Sequence, residues 1–377
     1  MTNPNPFSKS PGLTRRRDSA GYMLLTTALS VVGVMGMAGL AIDVGRMYVA
    51  RDESQAYVDA VALNAALKLD GTSSGITNAQ NTATTTAAMD KWNFGKNTFS
   101  SATMQFAKPL ATNPSSPDAS TWVANPANPA GYSYVRVAVG VDVPITFMQA
   151  INAGATKRVG ASSVGGQVYI TSYINGLLPF SPVTPNSAAT TDWGFRKDGT
   201  LYTIRYPSQG GLQKGNVCAG DQNASWLNSL PSQDRGFWGA NSAAAIRGEI
   251  IDNTQVQPLT IGDPVPMVGG AKNTEGSALN ERVLEDTDPT SDTWLAYTTS
   301  GTGNGRRIVG LPVNDGPNNN FTAMSIRAFF LQKSGVYSQV TGSDPICAEY
   351  IGAYIEGSGI RSGSTTLAGG FQVRIVQ

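Results

Sequence analysis

The chain has 377 residues, 41% hydrophobic and 14% charged, with a formal net charge of +1. That is long enough for two modest cores and too balanced in charge to indicate a nucleic-acid partner. Histidine is absent, which excludes His-based triads, the commonest general base near neutral pH and His-ligated metal sites.

In chain order, residues 1–18 form a basic tail, with Lys9, Arg15, Arg16 and Arg17 against Asp18. Ser19 to Ile42 then run for 24 positions without a formal charge. At about 1.5 Å per residue this exceeds the roughly 20 residues a bilayer span requires. After the run stand Asp43, Asp52 and Glu53 against Arg46 and Arg51. The basic side therefore belongs in the cytoplasm, which places residues 43–377 outside in a single-pass arrangement. Gly39-Leu40-Ala41 is a small-x-small site, so cleavage after Ala41 as a secretory signal is the alternative, although signal h-regions are typically only ~7–15 residues.

Helical character continues past the run. No Gly or Pro occurs between Gly45 and Asp70-Gly71, and Ala56, Ala60, Leu63 and Leu67 recur at helical spacing on one stripe, with Arg51, Gln55 and Asp59 on a polar line elsewhere. One helix of about 50 residues is expected. Gly33, Gly36 and Gly39, together with Ala41 and Gly45, are candidates for close packing against another membrane helix, against the plainer view that glycine is ordinary in such helices.

The stretch RRRDSAGYMLLTTALSVVGVMGMAGLAIDVGRMYVARDESQAYVDAVALNAAL, residues 15–67, resembles the N-terminal segment of TadG-like proteins of the Flp (tight adherence, Tad) pilus assembly system. The family pattern of basic cluster, apolar span, A-h-D-h-G-R and an alanine-rich helical tail is matched by Ala41 to Arg46, with Asp43, Gly45 and Arg46, and by Asp59 to Leu63. Further on, VRVAVGVDVPITFMQAINAGATKRVGASSVGG is similar to the family's strand followed by a P-h-x-F segment, here Pro144 to Phe147. The distal FWGANSAAAIRGEII, GRRIVGLPVND and MSIRAFFLQ also look familiar from pilus-assembly-related proteins. The resemblance implies a non-enzymatic, membrane-anchored assembly component that acts by protein contacts, with pilus assembly or pilin-like proteins as partners. Two departures stand out. The D-x-S-x-S metal motif of longer relatives is absent, and the fifth position after Gly21 is Thr26 where a processed prepilin has Glu.

Beyond the first helix, a second is expected from about Asn78 to Trp92, followed by a strand over Thr103 to Ala107 and a loop over 108–131. Val135, Val137, Val139, Val141 and Val143 alternate with Arg136, Ala138, Gly140 and Asp142 as a half-buried strand. Further strands are expected over Gln167 to Tyr173, Tyr202 to Tyr206, Arg307 to Pro312, Met324 to Leu331, Ala348 to Ile355 and Phe371 to Val376, with a helix over Ser242 to Ile251. The fold class is α+β: a long transmembrane and amphipathic N-terminal helix, a pilin-like α/β domain over 43–165, and a β-rich, antiparallel sandwich-like domain over 166–377.

Cys218 and Cys347, the two cysteines, read as one structural bridge in an oxidising compartment, with two free thiols as the alternative. No catalytic, cofactor-binding or metal-ligating set is recognisable. DTDPTSD, with Asp286, Asp288 and Asp292, reads as a solvated acidic loop and not a calcium site, and GTGNGRR as a hairpin turn into the strand at Ile308. Trp226, Phe237 and Trp238 are expected to fill the distal core, with an exposed glycan platform as the alternative. An exported surface-binding module is the second functional class. A histidine-free hydrolase without a G-x-S-x-G elbow is the least favoured third.

Overall fold

The computed structural model describes residues 16–99, 102–151, 154–207, 215–229, 236–268, 274–317, 321–356, 359–361 and 367–376. These divide into two compact units. One draws on the chain up to Tyr57, on Ala87–Ser100 and on Val139–Ala161; the other draws on Val58–Thr86, on Ser101–Ala138 and on the chain from Ser162 onward.

The first helix, α1, covers Arg16–Leu67, matching the expected length. Between Gly21 and Ile42 every side chain is exposed except the half-buried Thr26 and the buried Gly39. Thr26 donates its hydroxyl to the carbonyls of Tyr22 and Met23, and Ser30 donates to Thr26. The hydroxyls of Thr26 and Ser30 are thus satisfied within the helix, as a lipid-exposed segment favours. In the same unit, Lys91–Trp92 and Asn97–Thr98 form a short ladder. Its turn carries Asn93, Phe94 and Gly95 at positive φ.

Beyond Tyr57 the buried face of α1 differs from the expected stripe. Val58, Val61, Ala62, Ala65 and Ala66 are buried, whereas Ala56 is exposed and Ala60, Leu63 and Leu67 are half-buried. The reason is closeness of approach. A Cβ at Gly165 would lie 2.3 Å from the Ala62 carbonyl oxygen, so helix and strand meet backbone to backbone through alanines. Gln167 donates its amide nitrogen to the carbonyls of Ala66 at 2.9 Å and Leu69 at 2.7 Å, satisfying acceptors at the end of the helix. The second helix, α2, runs over Ser73–Met89, earlier than expected at both ends.

Among the described residues, most of a nine-stranded sheet lies in the second unit. Its strands are β1 (Thr103–Ala107), β2 (Tyr134–Pro144), β3 (Thr156–Ile170), β4 (Leu201–Arg205), β5 (Ile308–Asn314), β6 (Ala323–Leu331), β7 (Ile346–Ile355), β8 (Gly359–Arg361) and β9 (Gly370–Ile375). The order is β5-β6-β7-β9-β3-β2-β1, with β4 and β8 also pairing β7. The pairs β5–β6, β6–β7, β7–β8, β7–β4, β9–β3 and β1–β2 are antiparallel, and β7 meets β9 in parallel at Ile355 and Phe371. The strand β3 begins well before the expected Gln167, and the 108–131 loop contains a small ladder of Pro109–Leu110 with Asn113–Pro117.

The distal strands lack a polar face because both faces are covered. On one side Val309, Leu311, Val313, Phe329 and Leu331 pack with Ile246 and Ile250 of α3 (Ala243–Asp252) and with Leu279 and Val283 of α4 (Glu275–Leu284). On the other, Ile308, Ile326, Ala328 and Phe330 pack with Trp238, Leu259 and Tyr297 of α5 (Trp294–Ser300). The period-two alternation of strand side chains thus feeds two cores. The fold is α+β, as expected, and Ser242 caps α3 by accepting from Ala245 N at 3.1 Å. Neither α4 nor α5 was foreseen.

Candidate functional site

The site that organises the first unit is a carboxylate clamp on α1. Asp43 is buried. Its Oδ1 accepts from Thr146 N at 2.9 Å, and its Oδ2 accepts from Phe147 N and Met148 N at 2.7 Å each. Three backbone donors on one carboxylate make charge-assisted bonds. They hold the segment between β2 and β3 against the helix. The two motifs that carried the family resemblance, A-h-D-h-G-R and P-h-x-F, are therefore the two halves of a single contact.

Gly39 completes it, lying one helical turn before Asp43. A Cβ there would sit 2.5 Å from both Cβ and Cγ of Phe147, so glycine is what lets the ring lie on the helix. With Val32, Met35, Leu40 and Ile42, Phe147 and Met148 line an apolar groove of about 680 Å³. A second, smaller hollow of about 340 Å³ is lined by Met47, Tyr48, Arg51 and Arg158 among others. Arg158 also reaches Asp142 at 3.7 Å, both largely exposed, a pair of little energetic weight.

Glu53 repeats the device ten positions later. Its oxygens accept from Asn93 N at 2.7 Å and Phe94 N at 3.2 Å, where both residues hold φ of 57°. A non-glycine residue in the left-handed region costs roughly 1–2 kcal/mol, and the carboxylate offsets that cost. The rings of Tyr57 and Phe99 stack at 4.2 Å beside it. Sequence reasoning treated Glu53 only as a flanking charge. An acidic residue facing a Gly-ended turn is no recognisable signal until the fold joins them.

Of the other residues singled out from sequence, Gly33, Gly36 and Gly45 have nothing within 4 Å of a would-be Cβ, and Ala41 is exposed. Arg46 and Asp59 are half-buried. Arg16 and Arg17 begin α1, and Arg15 lies outside the described residues.

Two motif expectations are corrected. The DTDPTSD segment is not a solvated loop, since Asp286 and Asp288 are buried. Asp286 accepts from Tyr297 Oη at 2.8 Å and from the backbone nitrogens of Asp288, Asn304 and Arg307. Asp288 accepts from Ser291 and Ser300 hydroxyls at 2.7 and 2.5 Å, and these two serine hydroxyls hold its carboxyl well below the usual range. Of the three aspartates only Asp292 is exposed, paired with Lys333 at 2.6 Å. GTGNGRR is not a hairpin turn, because it follows α5, which Gly301 ends at φ 63°. Its backbone donors surround the chain's own Asp286, and the Arg307 guanidinium donates to the carbonyls of Asp288, Ser291 and Leu331. The acidic and glycine-rich motifs are one internal network, with their oxygens occupied by protein donors.

Trp226, Phe237 and Trp238 are buried in three separate clusters and present no exposed ring platform. Cys218 and Cys347 form a disulfide with Cα atoms 5.9 Å apart. Cys218 N donates to Thr203 Oγ1 at 2.9 Å, and Thr203 pairs with Cys347 across β4 and β7.

An apolar, exposed run long enough to cross a membrane and a carboxylate that pins a strand connection to the same helix characterise the first unit. The family model described as Tad, putative Flp pilus-assembly TadE/G-like, matches residues 21–68, so the chain carries a TadE/G-like N-terminal segment that coincides with α1 and the residue after it. No curated protein and no solved structure matches the chain.

Proposed function

We propose that the protein is a non-enzymatic, membrane-anchored component of bacterial Flp/Tad pilus assembly. Its body lies outside the inner membrane and acts through contacts with pilus assembly or pilin-like proteins. The observation that carries this reading is the coincidence of the Tad match with a helix whose residues 21–42 expose almost every apolar side chain. Such a run is at home in lipid, and the basic residues before it and acidic residues after it support the outward orientation. The carboxylates of Asp43, Asp286 and Asp288 are taken up by the chain's own donors, which supports a structural role for them over one in turnover.

The test joins fractionation with genetics. In the source bacterium, the chain is expected intact in the inner-membrane fraction by mass and N-terminal residue, and its deletion is expected to remove surface pili, restored by the full chain. A soluble product beginning at Ile42 would replace the anchored component with an exported surface module. Cleavage after Gly21 would make it a prepilin-like subunit despite Thr26. Normal piliation in the deletion strain would sink the assembly role.

A further inference from the structure

The geometry points to a second membrane contact, carried by the connection between β2 and β3: Phe147 and Met148 sit in the interfacial layer of the leaflet facing the body, and phospholipid acyl chains fill the groove they form with α1. This rests on the membrane-span reading of Ser19 to Ile42.

The first support is depth. Ser19 to Ile42 spans about 36 Å at about 1.5 Å per residue, against a hydrocarbon core of about 30 Å. The last few residues of the run thus reach into the boundary between acyl chains and headgroups. Phe147 covers Gly39, about 6 Å back along the helix from Asp43, which puts the ring at that boundary. It is nonetheless 47% exposed, an apolar side chain held toward the layer in which aromatic anchors partition.

The second support is the polarity of what surrounds it. The groove is apolar, lined by Val32, Met35, Leu40 and Ile42 with the two loop residues, and is continuous with the exposed apolar surface of the helix. About 12 Å further along α1 from Asp43, Arg51 and Arg158 share the second hollow with Tyr48, and Lys157 beside Arg158 is exposed. These cations start beyond the headgroup layer of about 5–7 Å, and their long stems can bring the charge back to it. They thus complement a phospholipid with its phosphate between the cations and the apolar groove and its chains in the groove. A partner protein helix would need both an apolar stripe along the groove and acidic residues beyond it, whereas a phospholipid carries both in one molecule.

The third support is Asp43 itself. A carboxylate at this level is costly in lipid unless its charge is satisfied. Here three backbone donors from the inserted loop satisfy it, so the residue that pins the loop also removes the obstacle to seating it in the interface.

The test uses the full chain with its disulfide intact, in vesicles of phosphatidylcholine and phosphatidylglycerol. Single fluorescent labels are placed by Phe147→Cys, Val32→Cys in the run and Gln339→Cys on the exposed body. Lipid-borne doxyl groups are expected to quench the labels at 147 and 32 several-fold more than iodide does, with the reverse at 339. Thr146→Cys, on the same loop and using only its backbone in the clamp, repeats the measurement should Phe147→Cys fail to fold. Iodide quenching at 147 with doxyl quenching at 32 would overturn the loop contact and leave the span standing. Iodide quenching at both would overturn the span as well. A label at 147 shielded from both quenchers would mean that protein covers the groove, and would overturn the lipid assignment.

Discussion

Asp43 and Phe147 stand 104 positions apart, yet the Asp43 carboxylate accepts the Phe147 amide at 2.7 Å while the Phe147 ring lies over Gly39, on the same helix as Asp43. Polar and apolar halves of one residue are thus held by two neighbouring turns of α1. Removing the carboxylate should free the loop without unwinding the helix. In Asp43→Ala, hydrogen exchange at the amides of Thr146, Phe147 and Met148 is expected to accelerate by roughly 10-fold or more, the scale of losing charge-assisted bonds. Amides in β6 should not change. Unaltered exchange at 146–148 would show that the clamp does not restrain the loop.

The glycines of the apolar run separate into one that is constrained and others that are not. Gly39→Ala would place a methyl 2.5 Å from the Phe147 side chain near its backbone attachment, where little can yield. It should displace the loop and raise exchange at the same three amides. Gly36→Ala meets nothing within 4 Å and should leave them unchanged. Equal effects from the two substitutions would contradict the close approach.

The Cys218–Cys347 bridge closes a separation of 129 residues. In the chain-entropy account, opening such a loop costs on the order of 4–5 kcal/mol. The double variant Cys218→Ser, Cys347→Ser should therefore unfold at a markedly lower urea midpoint, and reductant should shift the wild type but not the variant. A midpoint insensitive to reductant would show that the bridge contributes little.

Asp286 gathers Tyr297, Asn304, Arg307 and Asp288. Asp286→Ala strips one partner from several buried donors, and a loss of about 3 kcal/mol or more is expected in chemical denaturation. Tyr297→Phe removes two hydrogen bonds, to Asp286 and from Gly305 N, and should cost less, on the order of 1–2 kcal/mol. The reverse ranking would argue against a network centred on the carboxylate.

Stability should also depend on pH. Burial pushes Asp221 up to about 7 against the opposing donors of Thr203, and burial pushes Glu249 up to about 7 against the amide of Val256. In the unfolded chain such groups titrate near ~4. The folded state therefore holds these protons more tightly, and their contribution is complete below about pH 4. It is lost progressively as pH rises toward 7, with each unit of displacement worth about 1.4 kcal/mol. Asp221→Asn should flatten that slope in denaturation midpoints measured from pH 4.5 to 8. A slope equal to wild type would show that Asp221 titrates normally in the folded protein.

Much of the architecture was open to local inspection. The 52-residue α1, the valine-alternating β2, the distal strands and the cysteine bridge follow from hydropathy period, charge-free length and an even pair of cysteines, all properties of neighbouring residues or of counts. The family motif likewise marked Asp43, through resemblance and without a physical role.

Tertiary structure alone decided what those residues do. Asp43 and Glu53 are solvated charges in any local reading, and become clamps because the fold delivers unpaired backbone amides to them from 40 and more than 100 positions away. The buried face of α1 turned away from the expected stripe because Gly165 admits the alanine side of the helix more closely than a leucine side permits. Asp286 and Asp288 left solvent because α5 and the glycine-rich segment after it supplied enough donors to replace water. Burial and hydrogen-bond partners are properties of pairs distant in sequence, and spacing along the chain does not encode them.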